Sequence, residues 1–231
     1  MIIGERLTCY IDSLDRGNTP FLDEIEKYAL AHQIPVVRKS MQSLLKFLLA
    51  ARNPERILEI GTAIGFSALL MCEYGPENSR ITTIEKDGNR IALARENFRR
   101  AGKEAKITLL EGDAAEILQN LEGPYPMIFM DAAKGQYIHF LPDILRLMGP
   151  GSLLVSDNVL KDGDVIQSRF AVTRRNRTIH ARMREYLYEL KHRPQLETVV
   201  LPVGDGAALS VMRDCAVDLC CNAGQREEPS C

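Results

Sequence analysis

The chain has 231 residues, 45% apolar and 26% charged, with a formal charge of −2, which describes one large globular domain of α/β size or one domain with appendages and excludes a disordered chain. Its longest charge-free stretch, Ile60 to Cys72, is 13 residues, short of the roughly 20 that a membrane helix needs. The start, MIIGERLTCYIDSLDRG, carries Glu5, Arg6 and Asp12 where a signal peptide needs an apolar core, so the expectation is a cytoplasmic protein without a membrane partner.

Up to Arg56 the pattern is helical. Apolar residues recur at spacings of three and four in Leu7 to Leu14, Phe21 to His32 and Val36 to Ala51, and Asn53-Pro54 stops the third segment. From Arg56 the rhythm changes to short apolar runs, RILEI, RITTIE, KITLLEG, YPMIFMD and GSLLVSD, which alternate with helix-period segments. Runs apolar on both faces, each followed by a helix, indicate a parallel sheet with right-handed crossovers. A long basic amphipathic segment follows Asn158. LETVVLP, VGDG and AALSVMR then read as two strands joined by a Gly-rich turn. The expected architecture is α/β: a seven-stranded, mostly parallel sheet with an antiparallel edge strand and helices on both faces. Residues 1–55 would be N-terminal helices, 56–214 the core and 215–231 a tail. Cys215, Cys220, Cys221 and Cys231 crowd that tail without C-x-x-C spacing or a nearby histidine, so it reads as reduced and outside the fold rather than as a zinc site.

Ligands of open α/β sheets bind at the carboxyl ends of the strands, so the residues directly after each run matter most. After the first run stands Glu59-Ile60-Gly61-Thr62-Ala63-Ile64-Gly65-Phe66-Ser67, where Gly61 and Gly65 permit a tight turn and the next helix offers free N–H groups. The spacing is G-x-x-x-G, which disfavours a dinucleotide-binding dehydrogenase. The second run ends in Glu85, 24 residues after Gly61, suited to accept ribose hydroxyls or to sit at a helix start. The third ends Glu111-Gly112-Asp113-Ala114, where Asp113 meets an adenine amino group or caps the next helix. Three such residues at consecutive strand ends point to a nucleoside pocket.

The fourth run ends Asp131-Ala132-Ala133-Lys134 and the fifth Asp157-Asn158. Adjacent strand ends lie about 5 Å apart, so Asp131, Asp157 and Asn158 can converge as a hard, all-oxygen site suited to Mg²⁺. Close carboxylates repel, so a cation or Lys134 is expected beside them.

The order LEIGTAIGFS, TIEKD, EGDA, MDAAK and SDNV resembles the cation-dependent O-methyltransferases, the family of catechol and caffeoyl-CoA methyltransferases, over about residues 20 to 213. The resemblance implies a class I methyltransferase (Rossmann-like) fold with S-adenosylmethionine across the strand ends and a usual homodimer. Gly61 and Ser67 would approach the methionine moiety, Glu85 the ribose, and Asp113 and Ala114 the adenine. Val37 matches a position whose backbone touches the cofactor. Asp131, which also reaches the cofactor, Asp157 and Asn158 match the Mg²⁺ ligands. Lys134 matches the candidate general base, with an ion pair to Asp131 as its other reading.

Catechol methyltransferase has bulky residues after the first metal aspartate. Here they are Ala132 and Ala133, and the chain has no Trp, which leaves room for a larger acceptor. Arg169 to Arg193 holds seven Arg and one Lys against Glu185 and Glu189, a net of +6 that leaves −8 on the rest. Such a patch binds phosphates, or is a solvated helix face or a dimer contact. DAAKGQY, SDNVL with a following Lys-Asp-Gly, the Arg-rich helix and PVGDG are most similar to bacterial tRNA 5-hydroxyuridine methyltransferases. That resemblance implies transfer to the 5-hydroxyl of a wobble uridine in the tRNA anticodon loop, giving 5-methoxyuridine. Arg174, Arg175, Arg177, Arg182 and Arg184 would grip the RNA backbone, and Tyr137 or Phe170 would stack on a base or belong to the core. The alternatives are the same chemistry on a catechol-like or CoA-linked phenol, and a non-catalytic RNA-binding protein of the same fold.

Overall fold

The computed structural model describes residues 4–168 and 172–214. Three helices come first: α1 (Glu5–Ser13), α2 (Pro20–Ala31) and α3 (Lys39–Arg52). Thr19 caps α2, accepting from the Leu22 N–H ahead of a proline at the first helical position. Asn53 ends α3 in the left-handed conformation (φ 47°) that asparagine tolerates, so Asn53-Pro54 is the stop its sequence indicates. The third helix begins at Lys39 rather than Val36, and the residues before it lie over the sheet.

Alternation follows: β1 (Arg56–Ile60), α4 (Phe66–Tyr74), β2 (Arg80–Glu85), α5 (Gly88–Arg100), β3 (Ile107–Glu111), α6 (Ala114–Asn120), β4 (Met127–Met130), α7 (Tyr137–Leu147) and β5 (Leu153–Ser156). The basic segment contains the helix α8 (Arg177–His192), and β6 (Leu196–Leu201) and β7 (Ala207–Met212) close the fold. The seven strands form one sheet in the order β3-β2-β1-β4-β5-β7-β6. The first five pair in parallel. The antiparallel pairing expected at one edge is present, with β7 running against both β5 and the outermost β6.

Every residue of β4 and β5 is buried, as strands covered on both faces require. On one face Ile57, Phe129 and Val155 pack with α4 and also with Leu22, Ile25, Met41 and Leu45 of α2 and α3. Helices α2 and α3 therefore share the core of the sheet. On the other face Leu58, Ile128 and Leu154 pack with Phe140, Ile144, Met183 and Leu190 of α7 and α8. No helix among the described residues is long and apolar enough to cross a membrane.

Candidate active site

The order of the sheet reverses between β1 and β4, and a crevice opens there at the strand ends, as at the switch point of other open α/β sheets. It is a single cleft of about 850 Å³. Val37, Gly61, Ser67, Glu85, Asp113, Ala114, Asp131, Lys134, Asp157 and Asn158 all line it, so every expected cofactor, metal and catalytic position meets in one space.

At the end of the cleft formed by β2 and β3 the acids of its wall are met by the chain's own donors. Gly61 turns with φ 104°, and a side chain there would run into the backbone carbonyl of Asp131. Glycine is thus required both by the turn and by the close approach of β1 to β4. Glu85 is buried and accepts three backbone N–H bonds, from Ala63 (2.9 Å), Lys86 (2.9 Å) and Asp87 (3.0 Å). The cap of α5 is Asp87, bonded to the N–H groups of Asn89 and Arg90. Glu85 is therefore free of capping and is held rigidly at the wall of the cleft. Asp113 does cap α6, through the Ala115 N–H (3.0 Å), while its other oxygen meets Lys86 at 3.3 Å. The Ala115 N–H and the Lys86 ammonium hold it below the usual carboxylate range. It caps and lines the cleft at once.

Val37 reaches the cleft because Ile34–Arg38 does not join α3. The buried Gln42 amide donates to the Val37 carbonyl (2.9 Å) and to Glu26 (2.8 Å), and Lys39 closes the group on Glu26 at 2.6 Å. Arg38 then pairs with Asp205 of the β6–β7 turn at 2.8 Å, tying the covering segment to the far side of the cleft.

The other end is crowded with negative charge. The Asn158 side-chain amide donates to Asp131 (3.0 Å), and its backbone N–H donates to Asp157 (2.7 Å). Asn158 has φ 60°, a left-handed conformation that turns it back toward both carboxylates. Burial pushes the Asp131 carboxyl up, against the Asn158 amide and the Lys134 charge. Burial and then the Asp131 charge push Asp157 up. Lys134 acts on both as a charge, and the hydrogen-bond partner of Asp131 is Asn158. The buried Asp157, the half-buried Asp131 and the Asn158 side chain between them, short of counter-charge, fit a divalent cation with hard-ligand preference. Among the described residues no group of three His, Cys, Asp or Glu is placed to hold a metal ion, so the pair of aspartates depends on Asn158 for a third side chain.

Two side chains escaped the sequence reading. Glu59 is fully buried beneath the cleft floor, with one oxygen accepting from Thr83 (2.5 Å) and the other without a hydrogen-bond partner. Burial pushes its carboxyl up to about 7, opposed by the Ser67 and Thr83 hydroxyls and reinforced by the charges of Asp131 and Glu85. The signal was a lone acid inside RILEI, a run read as apolar on both faces. Asp205 lay in a motif read only as a turn.

The five arginines lie outside the cleft lining, on and before α8. Arg174, Arg175 and Arg184 are exposed. Arg177 and Arg182 are half-buried, bonded to the carbonyls of Val172 (3.4 Å) and Gly135 (3.1 Å). Gly135 directly follows Lys134, so α8 abuts the carboxylate end of the cleft. Tyr137 is fully buried and cannot stack on an incoming base, which corrects one of its two readings. Phe170, Arg169 and the Cys-rich segment 215–231 lie outside the described residues.

A family model described as O-methyltransferase matches residues 13–213. A catechol O-methyltransferase of Niastella koreensis is 41% identical over 127 residues, which span 53% of this chain and 56% of that protein. Tapetum-specific methyltransferase 1 of Arabidopsis thaliana is 30% identical over 76% of each chain. Among solved structures, the Podospora anserina methyltransferase PaMTH1 with bound SAH superposes with a TM-score of 0.82 at 27% identity, covering 91% of this chain and 95% of that one.

Proposed function

The chain belongs to the O-methyltransferase family of S-adenosylmethionine-dependent enzymes, and from that premise we propose that it methylates the 5-hydroxyl of 5-hydroxyuridine at the tRNA wobble position with the help of Mg²⁺. The observation that carries the acceptor is an adjacency: the basic helix α8 bonds through Arg182 to Gly135, beside Lys134 and an unobstructed wall of Ala132 and Ala133. An anticodon-loop base is single-stranded and can enter such a cleft without opening a duplex, while arginines hold the phosphates outside it.

When bound, S-adenosylmethionine supplies the methyl group and Mg²⁺ acidifies and orients the acceptor hydroxyl. The chain supplies alignment, which is most of what an in-line methyl displacement needs. Glu85 would offer its carboxylate to the ribose, and Asp113 and Ala114 would flank the adenine. Gly61, Ser67 and the Val37 backbone would frame the methionine part. Asp131, Asp157 and Asn158 would hold the cation at the other side of the switch point. Lys134, in its amine form, would receive the proton of the acceptor hydroxyl, and the cofactor would supply the methyl group that replaces it. A homodimer is part of the same reading, and the apolar stripe Leu7, Tyr10, Ile11 and Leu14, each about half exposed or more, is the face of α1 to test by light scattering.

The test is labelled methyl transfer from S-adenosylmethionine to tRNA carrying 5-hydroxyuridine, with and without EDTA, beside a catechol control. EDTA-sensitive labelling of the tRNA is the expected result. Labelling of catechol alone would overturn the tRNA acceptor and favour the reading suggested by the 41% identical relative's name.

A further inference from the structure

Behind the carboxylate end of the cleft lies a buried pair of tyrosines. Tyr137, the first residue of α7, is wholly enclosed. Its hydroxyl is within hydrogen-bond distance of two backbone carbonyls, those of Met130 (3.2 Å) and Asp157 (3.0 Å). Met130 is the last residue of β4 and precedes Asp131. Asp157 follows the last residue of β5. The ladder between the two strands ends at Met130 and Ser156, with one more bond from the Asp157 N–H to the Met130 carbonyl (3.0 Å). Beyond that point the pairing of β4 with β5 stops, and the two aspartates, which carry like charge, are linked through the Asn158 hydrogen bonds. The Tyr137 hydroxyl lies across this gap. Its ring is held edge-on by Tyr186 of α8 at 5.4 Å between centroids, and the Tyr186 hydroxyl is bonded to the Ser156 side chain at 2.6 Å.

We propose that Tyr137 is a positioning residue for the cation site: its hydroxyl clasps the ends of β4 and β5 and sets the spacing of Asp131 and Asp157. The inference rests on the cation reading above and names a residue that touches neither cation nor substrate. Two facts favour it over a packing role alone. A phenylalanine would fill the same space, so the hydroxyl is not needed for volume. Both of its partners are main-chain atoms, one in a ligand residue and one beside the other, so a change in the bond moves the ligands directly. The turn leading into Tyr137 carries Lys134, so the same anchor also fixes that side chain's starting point.

The test compares the full-length Tyr137→Phe and Tyr186→Phe proteins with the unmodified chain, reading Mn²⁺ affinity by calorimetry, SAH affinity and thermal stability. Each variant deletes one buried hydroxyl, but only the first touches the ligand backbone. The expected result is that Tyr137→Phe weakens Mn²⁺ binding about 10- to 100-fold, the range found when a group that orients a metal ligand is removed. SAH affinity should hold, and Tyr186→Phe should keep Mn²⁺ affinity within about threefold while losing comparable stability. Wild-type Mn²⁺ affinity in Tyr137→Phe would overturn the proposal. So would equal weakening in both variants, or a Tyr137→Phe protein that loses SAH together with Mn²⁺, since each reports general loosening. If the unmodified chain itself binds no Mn²⁺, the cation reading fails first and the proposal falls with it.

Discussion

The two ends of the cleft are built on opposite principles. At the ends of β2 and β3 the acids are already spoken for: Glu85 takes three backbone N–H bonds, and Asp87 and Asp113 each cap a helix. Over β4 and β5 the buried Asp157 and the half-buried Asp131 share a single asparagine as hydrogen-bond donor, burial raises the proton affinity of both, and the Asp131 charge raises that of Asp157 further. A surface that is satisfied before its ligand arrives gains mainly by shape and alignment. A surface with an unmet charge stores an unfavourable term that a cation removes. The first end is therefore a preformed mould, and the second is completed by what it binds.

The largest effect should come from removing one half of the charged end. Asp157→Ala is expected to lower methyl transfer by roughly 10²- to 10³-fold and to abolish Mn²⁺ binding. Apoprotein stability should be kept or raised, because the like-charge pair is gone. SAH affinity unchanged within a few-fold, measured by calorimetry, would sharpen the division between the ends. A large loss of SAH would break it.

Next, Gly61→Ala attacks the seam. The new methyl meets the Asp131 carbonyl from a positive-φ backbone, so a loss of about 1–3 kcal/mol in chemical denaturation is expected, with both SAH and Mn²⁺ weakened. Loss of only one ligand would show that the seam does not couple the ends. A smaller change should follow charge reversal of the exposed pair outside the cleft. Arg174→Glu with Arg175→Glu is expected to raise KM for tRNA about tenfold and flatten its salt dependence, leaving SAH and Mn²⁺ affinities alone.

The smallest effect is a trend with pH. Glu59 has its carboxyl raised from 4.5 to about 7, and Asp131 and Asp157 are also raised, so the folded apoprotein keeps protons that the unfolded chain has released. Their stabilising contribution is complete below the unfolded values and is lost as pH climbs through the folded ones. Melting of the apoprotein should thus shift downward from pH 5 to pH 8, by at most about 3 kcal/mol from Glu59 alone. Glu59→Gln should flatten part of that slope. Mn²⁺ should raise the melting temperature more at pH 8 than at pH 6, and an equal rise at both would contradict the charge-deficit account.

Much of this arrangement is legible in the chain, and the exceptions share a cause. The strand runs, the stop at Asn53-Pro54 and the positions of Gly61, Glu85, Asp113, Asp131 and Asp157 can be read because each depends on local periodicity or on the residue that follows a strand. The start of α3 cannot: Val36 and Val37 continue a helical spacing, yet Gln42 and Glu26 capture the segment as an extended cover over the cleft. Glu59 looked like a strand residue, and its meaning comes from an oxygen buried without a partner. Tyr137 looked equally suited to stacking and to the core until its burial was known.

The sequence by itself determined the alternation of strands and helices, the edge pairing, and which acids end which strands, since periodicity and turn chemistry act over a few residues. Only the tertiary structure decided that those acids divide into a satisfied group and a deficient one, that the Ile34–Arg38 segment closes over the cleft, and that a tyrosine hydroxyl lies behind the charged pair. Those outcomes depend on burial and on contacts between residues far apart in the chain, where desolvation and Coulomb energies are set by neighbours that no local pattern names.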